Sequence, residues 1–155
     1  MPEKGTDKKK SSETASYAPG SILADHFRNP VRRGLPDTVR SGHEVFNRKC
    51  GDRLFFALEH GCEGSLFFRF EGKGCFYCLV SASVACDFLS GLDKKRALEH
   101  IEAVRRWLAG ARQDPGDLAS ESPGVMALGE VRSFPMRIGC ADMAWKGLAE
   151  LIMRS

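Results

Sequence analysis

Two short segments, Arg53 to Glu59 and Ser65 to Phe70, carry apolar residues at every second position: Leu54, Phe56 and Leu58 in the first, Leu66, Phe68 and Phe70 in the second. A period of two puts one set of side chains on one face of an extended strand. Only His60-Gly61-Cys62-Glu63-Gly64 separates the two strands, which suits a hairpin loop. Glu44-Val45-Phe46 is expected to add a third, shorter antiparallel strand, and Gly72 and Gly74 end the sheet segment at Cys75. From Cys75 to Leu89 the chain is mostly apolar, too long for one ordinary strand, and closes at Ser90-Gly91; this predicts a buried helix. A second helix is predicted from about Lys94 to Leu108, with Ala97, Ile101, Val104 and Leu108 on one face. A last one runs from about Ala141 to Met153, and an early short one, around Ile22, Leu23 and Phe27, is ended by Asn29-Pro30. The stretch from Gly110 to Pro123 reads as a long connection.

The chain has 155 residues, enough for a single domain with a real core. Residues 1 to 17, rich in Lys, Ser, Thr and Glu with no apolar period, read as a disordered tail, so the domain is placed at 18–155. Net charge is +3; the first eighteen residues hold four Lys against Glu3, Asp7 and Glu13, which leaves only +2 on the rest. Bulk charge therefore gives no case for nucleic acid. No run is long and apolar enough for a membrane span, and Lys8-Lys9-Lys10 is followed by Ser, Thr and Glu where a signal peptide needs an apolar region. The expected location is the cytoplasm, where cysteines remain thiols.

Six cysteines, Cys50, Cys62, Cys75, Cys78, Cys86 and Cys140, are then the first place to seek function. Cys50-Gly51-Asp52 sets a thiol and a carboxylate two residues apart across a glycine, and both are ligand types for zinc or iron. Cys75 stands at the start of a predicted helix, where unpaired N–H groups and the helix dipole favour a thiolate. Cys140 is expected just before the last helix. With 24 residues between Cys50 and Cys75 and 64 between Cys75 and Cys140, the spacing is not that of a zinc finger and does not by itself show that these residues meet. Cys75-Phe76-Tyr77-Cys78 is also a C-x-x-C pair, open to use as a redox dithiol. Cys78 and Cys86 fall in the apolar helix and suit small core residues. The four histidines show no ligand spacing, and neither a serine-hydrolase elbow nor a phosphate loop occurs. Arg28, Arg32, Arg33, Arg40, Arg48, Lys49 and Arg53 gather positive charge around Cys50, a solvated face or a docking surface for an acidic protein.

Four motifs in order resemble the U-type iron-sulfur cluster assembly proteins, the family of the NifU N-terminal domain, IscU and SufU. They are Asp25-His26-Phe27-Arg28-Asn29-Pro30 with Gly34, then Asn47-x-x-Cys50-Gly51-Asp52, then Phe70-Glu71-Gly72-x-Gly74-Cys75 followed by Ser81-Ala82-Ser83, and Phe134-Pro135-x-Arg137-Ile138-x-Cys140-Ala141. The resemblance implies an α+β domain of the SufE/NifU-like kind, a small antiparallel three-stranded sheet packed by helices. It further implies that Cys50, Asp52, Cys75 and Cys140 gather at one exposed end as metal ligands. Family members receive sulfur from a cysteine desulfurase of the SufS, IscS or NifS type. They either build a transient [2Fe-2S] cluster as a non-enzymatic scaffold or, in the SufU branch, hold zinc and pass persulfide sulfur on to downstream iron-sulfur apoproteins or carriers. Cys140 falls at the usual persulfide-acceptor position, and Asp52 is the harder, more exchangeable ligand. IscU proteins carry a histidine directly before the last cysteine and an L-P-P-V-K motif; here Gly139 and Ser133-Phe134-Pro135-Met136-Arg137 stand there, and the long segment between Cys75 and Cys140 is closest to SufU. SufU proteins in turn have lysine at the Gly139 position, proline at Arg48 and a serine-like residue at Cys78. The other function class is a thiol oxidoreductase working through Cys75 and Cys78.

Overall fold

The computed structural model describes residues 21–155; the tail expected over residues 1–17 lies outside the described residues. The period-two segments form β2 (Asp52–His60) and β3 (Leu66–Lys73), which pair antiparallel with β1 (Ser41–Asn47) in the order β1-β2-β3. Phe56 lies opposite Phe70 and Leu58 opposite Phe68, and all four are buried, so the alternation supplies one apolar face. β1 is seven residues long, more than the expected three. Its first residues, Ser41-Gly42-His43, sit half-buried at the sheet edge and carry no apolar alternation to announce a strand. At the hairpin tip, Cys62–Gly64 makes one 3-10 turn, with Glu63 and Gly64 at φ of 55° and 79°.

Helix α1 (Ile22–Arg28) is capped by Ser21, whose hydroxyl accepts from the Ala24 N–H, and ends at Asn29 as expected. Helix α2 (Phe76–Leu89) has eleven of its fourteen residues buried and exposes only Asp87, which leaves it almost no solvent face. It is wrapped by the sheet, by α1 and by later helices. Helix α3 (Lys94–Leu108) is amphipathic as expected; Asp93 caps it by accepting from the Arg96 N–H at 2.8 Å. The long connection expected from Gly110 to Pro123 holds α4 (Asp117–Ser120), and α5 (Pro123–Leu128) and a 3-10 turn (Gly129–Ser133) follow it; together they bring Ala119, Val125, Leu128 and Val131 into the core.

The last helix, α6, spans Pro135–Arg154 and starts six residues earlier than the sequence suggests. Proline pre-sets φ at a helix start, whereas Gly139 inside the first turns imitates a boundary. Cys140 is therefore within the helix, a correction to its expected place before it. Helix α6 packs against α2, α3 and the first two strands. Among the described residues no helix is long and apolar enough to cross a membrane.

Glycine is required at position 72, where β3 passes β2. A Cβ there would collide with the Arg53 carbonyl and lie 3.0 Å from Leu54 Cα, both rigid backbone atoms. Gly72→Ala should lower stability by about 2 kcal/mol, a typical overpacking cost, read as a fall in the urea midpoint; an unmoved midpoint would show that the strands are not held this closely.

Candidate metal centre

Cys50 sits in the turn between β1 and β2. The Asn47 side chain accepts from the Lys49 N–H at 3.0 Å, the Gly51 N–H reaches the Asn47 carbonyl at 2.7 Å, and Gly51 takes the left-handed φ of 73° that the turn needs. This turn leaves Cys50 exposed and delivers Asp52, the first residue of β2, with its side chain inward at 2% exposure. The Cys50-Gly51-Asp52 tripeptide thus presents its two ligand types at different depths.

Asp52 meets the start of α2. Its Oδ1 accepts from the Cys75 N–H at 3.1 Å, and its Oδ2 lies 3.9 Å from Cys75 Sγ. Cys75 is the N-cap residue of α2, and its own side chain makes no capping bond, which leaves the sulfur available. Gly74 makes the approach possible: a Cβ there would lie 2.8 Å from both Asp52 Oδ1 and Cys78 Sγ. In the sequence Gly74 marks the end of the sheet; the signal for its second role is its place immediately before a ligand-type cysteine.

Cys140 comes from the second turn of α6 and is 1% exposed. Its Sγ lies 3.8 Å from Cys50 Sγ. The ligand atoms of Cys50, Asp52 and Cys140 all fall within 4.8 Å of one another. Cys75 borders this group, touching Asp52 and serving as a hydrogen-bond partner of the Cys140 thiol. Burial pushes the Cys140 thiol well above its ordinary range, and neighbouring Cys75, Cys50 and Asp52 add to the push. A divalent cation among these groups would reverse that effect, because it stabilises thiolate over thiol.

The donor set fits zinc or an iron-sulfur unit. Three sulfurs and one carboxylate oxygen are a soft, four-donor set, and bonds of about 2.3 Å from tetrahedral zinc place two sulfurs about 3.8 Å apart. Cys50 and Cys140 already have that separation.

Of the remaining cysteines, Cys78 packs next to Asp52 beneath Gly74. Cys78 is fully buried, and burial first, then the charges at Asp52, Cys75 and Cys50, drive its thiol pKa far upward. Cys86 is buried and likewise held as a thiol, and Cys62 is exposed on the hairpin tip. Three of the four histidines are occupied elsewhere, His26 with Ser83 at 2.7 Å, His43 with Glu150 at 2.8 Å and His100 edge-on to Phe88, and His60 is exposed at the end of β2. Of the basic run, Arg28 pairs with Asp25, Arg33 with Glu71 and Arg53 with Glu44, while Arg32 donates to the Phe68 carbonyl. Arg48 and Lys49, exposed beside Cys50, have no ion-pair partner among the described residues. Beside them lies a groove of about 440 Å3 lined by Cys50, Ser133, Phe134, Pro135, Met136 and Arg137.

Known proteins share this architecture. The zinc-dependent sulfurtransferase SufU of Bacillus subtilis is 31% identical over 129 residues, covering 82% of this chain and 84% of that protein. The iron-sulfur cluster assembly scaffold protein IscU of Streptococcus pyogenes serotype M1 is 29% identical over 141 residues, 87% of this chain and 82% of the relative. The crystal structure of FiSufU from Fervidobacterium islandicum AW-1 superposes with a TM-score of 0.77 at 22% identity, over 92% of this chain and 99% of that one, a likeness of fold. Residues 20–146 match the model of the NifU-like N-terminal domain, and with that span, most of the chain, the protein belongs to the NifU-like N-terminal domain family.

Proposed function

We propose that this protein serves iron-sulfur cluster biogenesis, taking sulfur from a cysteine desulfurase at Cys140 and holding zinc, or iron and a nascent [2Fe-2S] cluster, on Cys50, Asp52, Cys75 and Cys140. The observation that carries this reading is the meeting of Cys50 and Asp52, from the turn into β2, with Cys140, from α6, within 4.8 Å of one another, in a chain of this family. Zinc-dependent transfer of the SufU kind is favoured over a chaperone-assisted scaffold. Gly139 replaces the histidine of the IscU pattern, and Ser133 to Arg137 lack its chaperone-recognition motif.

In the sulfur step, the Cys140 thiolate attacks the terminal sulfur of the desulfurase persulfide. A new S–S bond forms at Cys140, the old one breaks, and its electron pair leaves on the desulfurase thiolate. A bound cation supplies the means to keep Cys140 deprotonated in a buried place. Access comes through Cys50: Cys140 is covered, whereas Cys50 is exposed on a turn with open space around Gly51. Asp52 works in exchange. One oxygen stays on the Cys75 N–H, so the other can leave a metal without the side chain departing. The desulfurase docks over Cys50, drawn by Arg48 and Lys49 and seated in the groove beside exposed Met136. Sulfur then passes to downstream apoproteins or carriers in the cytoplasm. An oxidoreductase role for Cys75 and Cys78 is disfavoured, because Cys78 is buried and held protonated.

Protein purified without added metal should contain close to one zinc or iron per chain by elemental analysis. Cys75→Ser should lower that content sharply and Cys78→Ser should leave it near wild type; the reverse pattern would move the ligand set to Cys78. After incubation with desulfurase and cysteine, mass spectrometry should find the persulfide on Cys140 and lose it in Cys140→Ser. Asp52→Ala should keep the label but slow metal or cluster release. A persulfide found solely on Cys75 or Cys50 would overturn the assignment. Charge reversal at Arg48 and Lys49 should slow association with the desulfurase in a salt-dependent manner, with stopped-flow rates as the check; unchanged rates would place docking elsewhere.

A further inference from the structure

Ser81 is a polar residue within the most apolar helix of the protein, and it is fully buried. Its hydroxyl donates to the Ala141 carbonyl at 2.6 Å and accepts from the Trp145 indole N–H at 3.0 Å. A buried serine often bonds the carbonyl one turn back in its own helix. Here the bond crosses to α6 and reaches its backbone at the residue following Cys140. Ser81 itself lies six residues beyond Cys75 on α2. The same hydroxyl therefore ties together the two helices whose starting turns carry Cys75 and Cys140.

We propose that Ser81 is a positioning residue: by bonding the Ala141 carbonyl and the Trp145 indole it sets the register of α6 on α2, and with it the spacing of the Cys75 and Cys140 sulfurs. The proposal rests on the reading of these cysteines as a shared metal and sulfur site. Apolar contact between α2 and α6 is non-directional and tolerates sliding. A slip of one residue along a helix moves a side chain by about 1.5 Å, while metal–ligand distances hold to about 0.2 Å. A directional bond to backbone supplies the tolerance that packing lacks. On its other flank α6 is held by Arg105, which donates to both oxygens of Asp142 at 2.7 and 2.9 Å. Removing the Ser81 bond therefore loosens register without releasing the helix.

The test uses the full chain loaded with zinc, and with cobalt(II) as a spectroscopic probe. Ser81→Ala should weaken zinc binding in chelator competition by about tenfold or more, the usual scale for a residue that supports ligands, and should shift the cobalt absorption bands. Ser81→Thr, which keeps the hydroxyl, should restore most of both. Ser81→Ala with Trp145→Phe leaves no orphaned indole N–H, so thermal stability should rise above that of Ser81→Ala while zinc binding stays weak. Zinc affinity that recovers together with stability, or that never falls, would reduce Ser81 to a packing residue and overturn the proposal. A metal-free arm separates this from the site reading. In a Cys50→Ser, Cys62→Ser background, Ser81→Ala should slow formation of a Cys75–Cys140 disulfide by diamide, a two-electron thiol oxidant, several-fold. A slowed disulfide in this background, together with an unsubstituted chain that binds neither metal, would sink the metal reading and keep the clamp; an unchanged rate would sink the clamp.

Discussion

Helix α2 is enclosed along nearly its whole length, with Asp87 its one exposed residue, and that constraint organises the rest of the molecule. A helix so enclosed must satisfy each buried polar side chain from within the protein. Ser83 does so toward the N-terminal segment, with its oxygen 2.7 Å from both His26 Nδ1 and the Val31 N–H. Ser81 does so toward α6. The buried helix is thus pinned from two directions by two serines two residues apart in the Ser81-Ala82-Ser83 motif. Its first turn still leaves backbone N–H groups without intrahelical partners, and there Asp52 accepts from Cys75. The candidate centre forms where the core helix reaches the end of its own ladder of hydrogen bonds.

The electrostatics of that place favour a cation. Asp52 is nearly covered, and Cys140 is buried among groups that raise its pKa. Burying several potential anions side by side is costly unless a positive charge joins them. No Lys, Arg or His side chain hydrogen-bonds Asp52 among the described residues. The nearby cations, Arg48 and Lys49, belong to an exposed turn and serve the surface better than the interior. A metal ion held as proposed would supply the charge balance inside.

The sheet and α3 were legible because periodicity is a direct imprint of one-sided burial, as Leu54, Phe56 and Leu58 or Ala97, Ile101 and Val104 show. β1 was legible only at Glu44 to Phe46, since an edge strand with polar ends buries too little to be patterned. The start of α6 was hidden by Gly139, whose missing side chain would meet open space, so nothing in packing demands a residue there. Cys50, Asp52, Cys75 and Cys140 were each visible as ligand types at junctions, but their meeting depends on strand order and helix register, which pairwise spacing does not encode. Ser81 was legible only as a motif letter; a serine in an apolar run carries no mark of the carbonyl it will bond.

The corrected place of Cys140 bears on how such a site opens. In a loop before a helix, Cys140 and Cys50 would be equally free to move. Within α6, Cys140 is fixed by a helical backbone that is tied to α2 by Ser81 and to α3 through Asp142. Cys50 has no such hold: it rides an exposed four-residue turn anchored by Asn47 and passing through a left-handed Gly51. Two sulfurs 3.8 Å apart therefore sit on parts of very different stiffness. Opening the site is cheapest by moving Cys50, because displacing Cys140 would break core hydrogen bonds whereas displacing the turn exposes little that is not exposed already. In the proposed sulfur transfer, the buried sulfur would then remain in place for an incoming persulfide, with the exposed one as its cover.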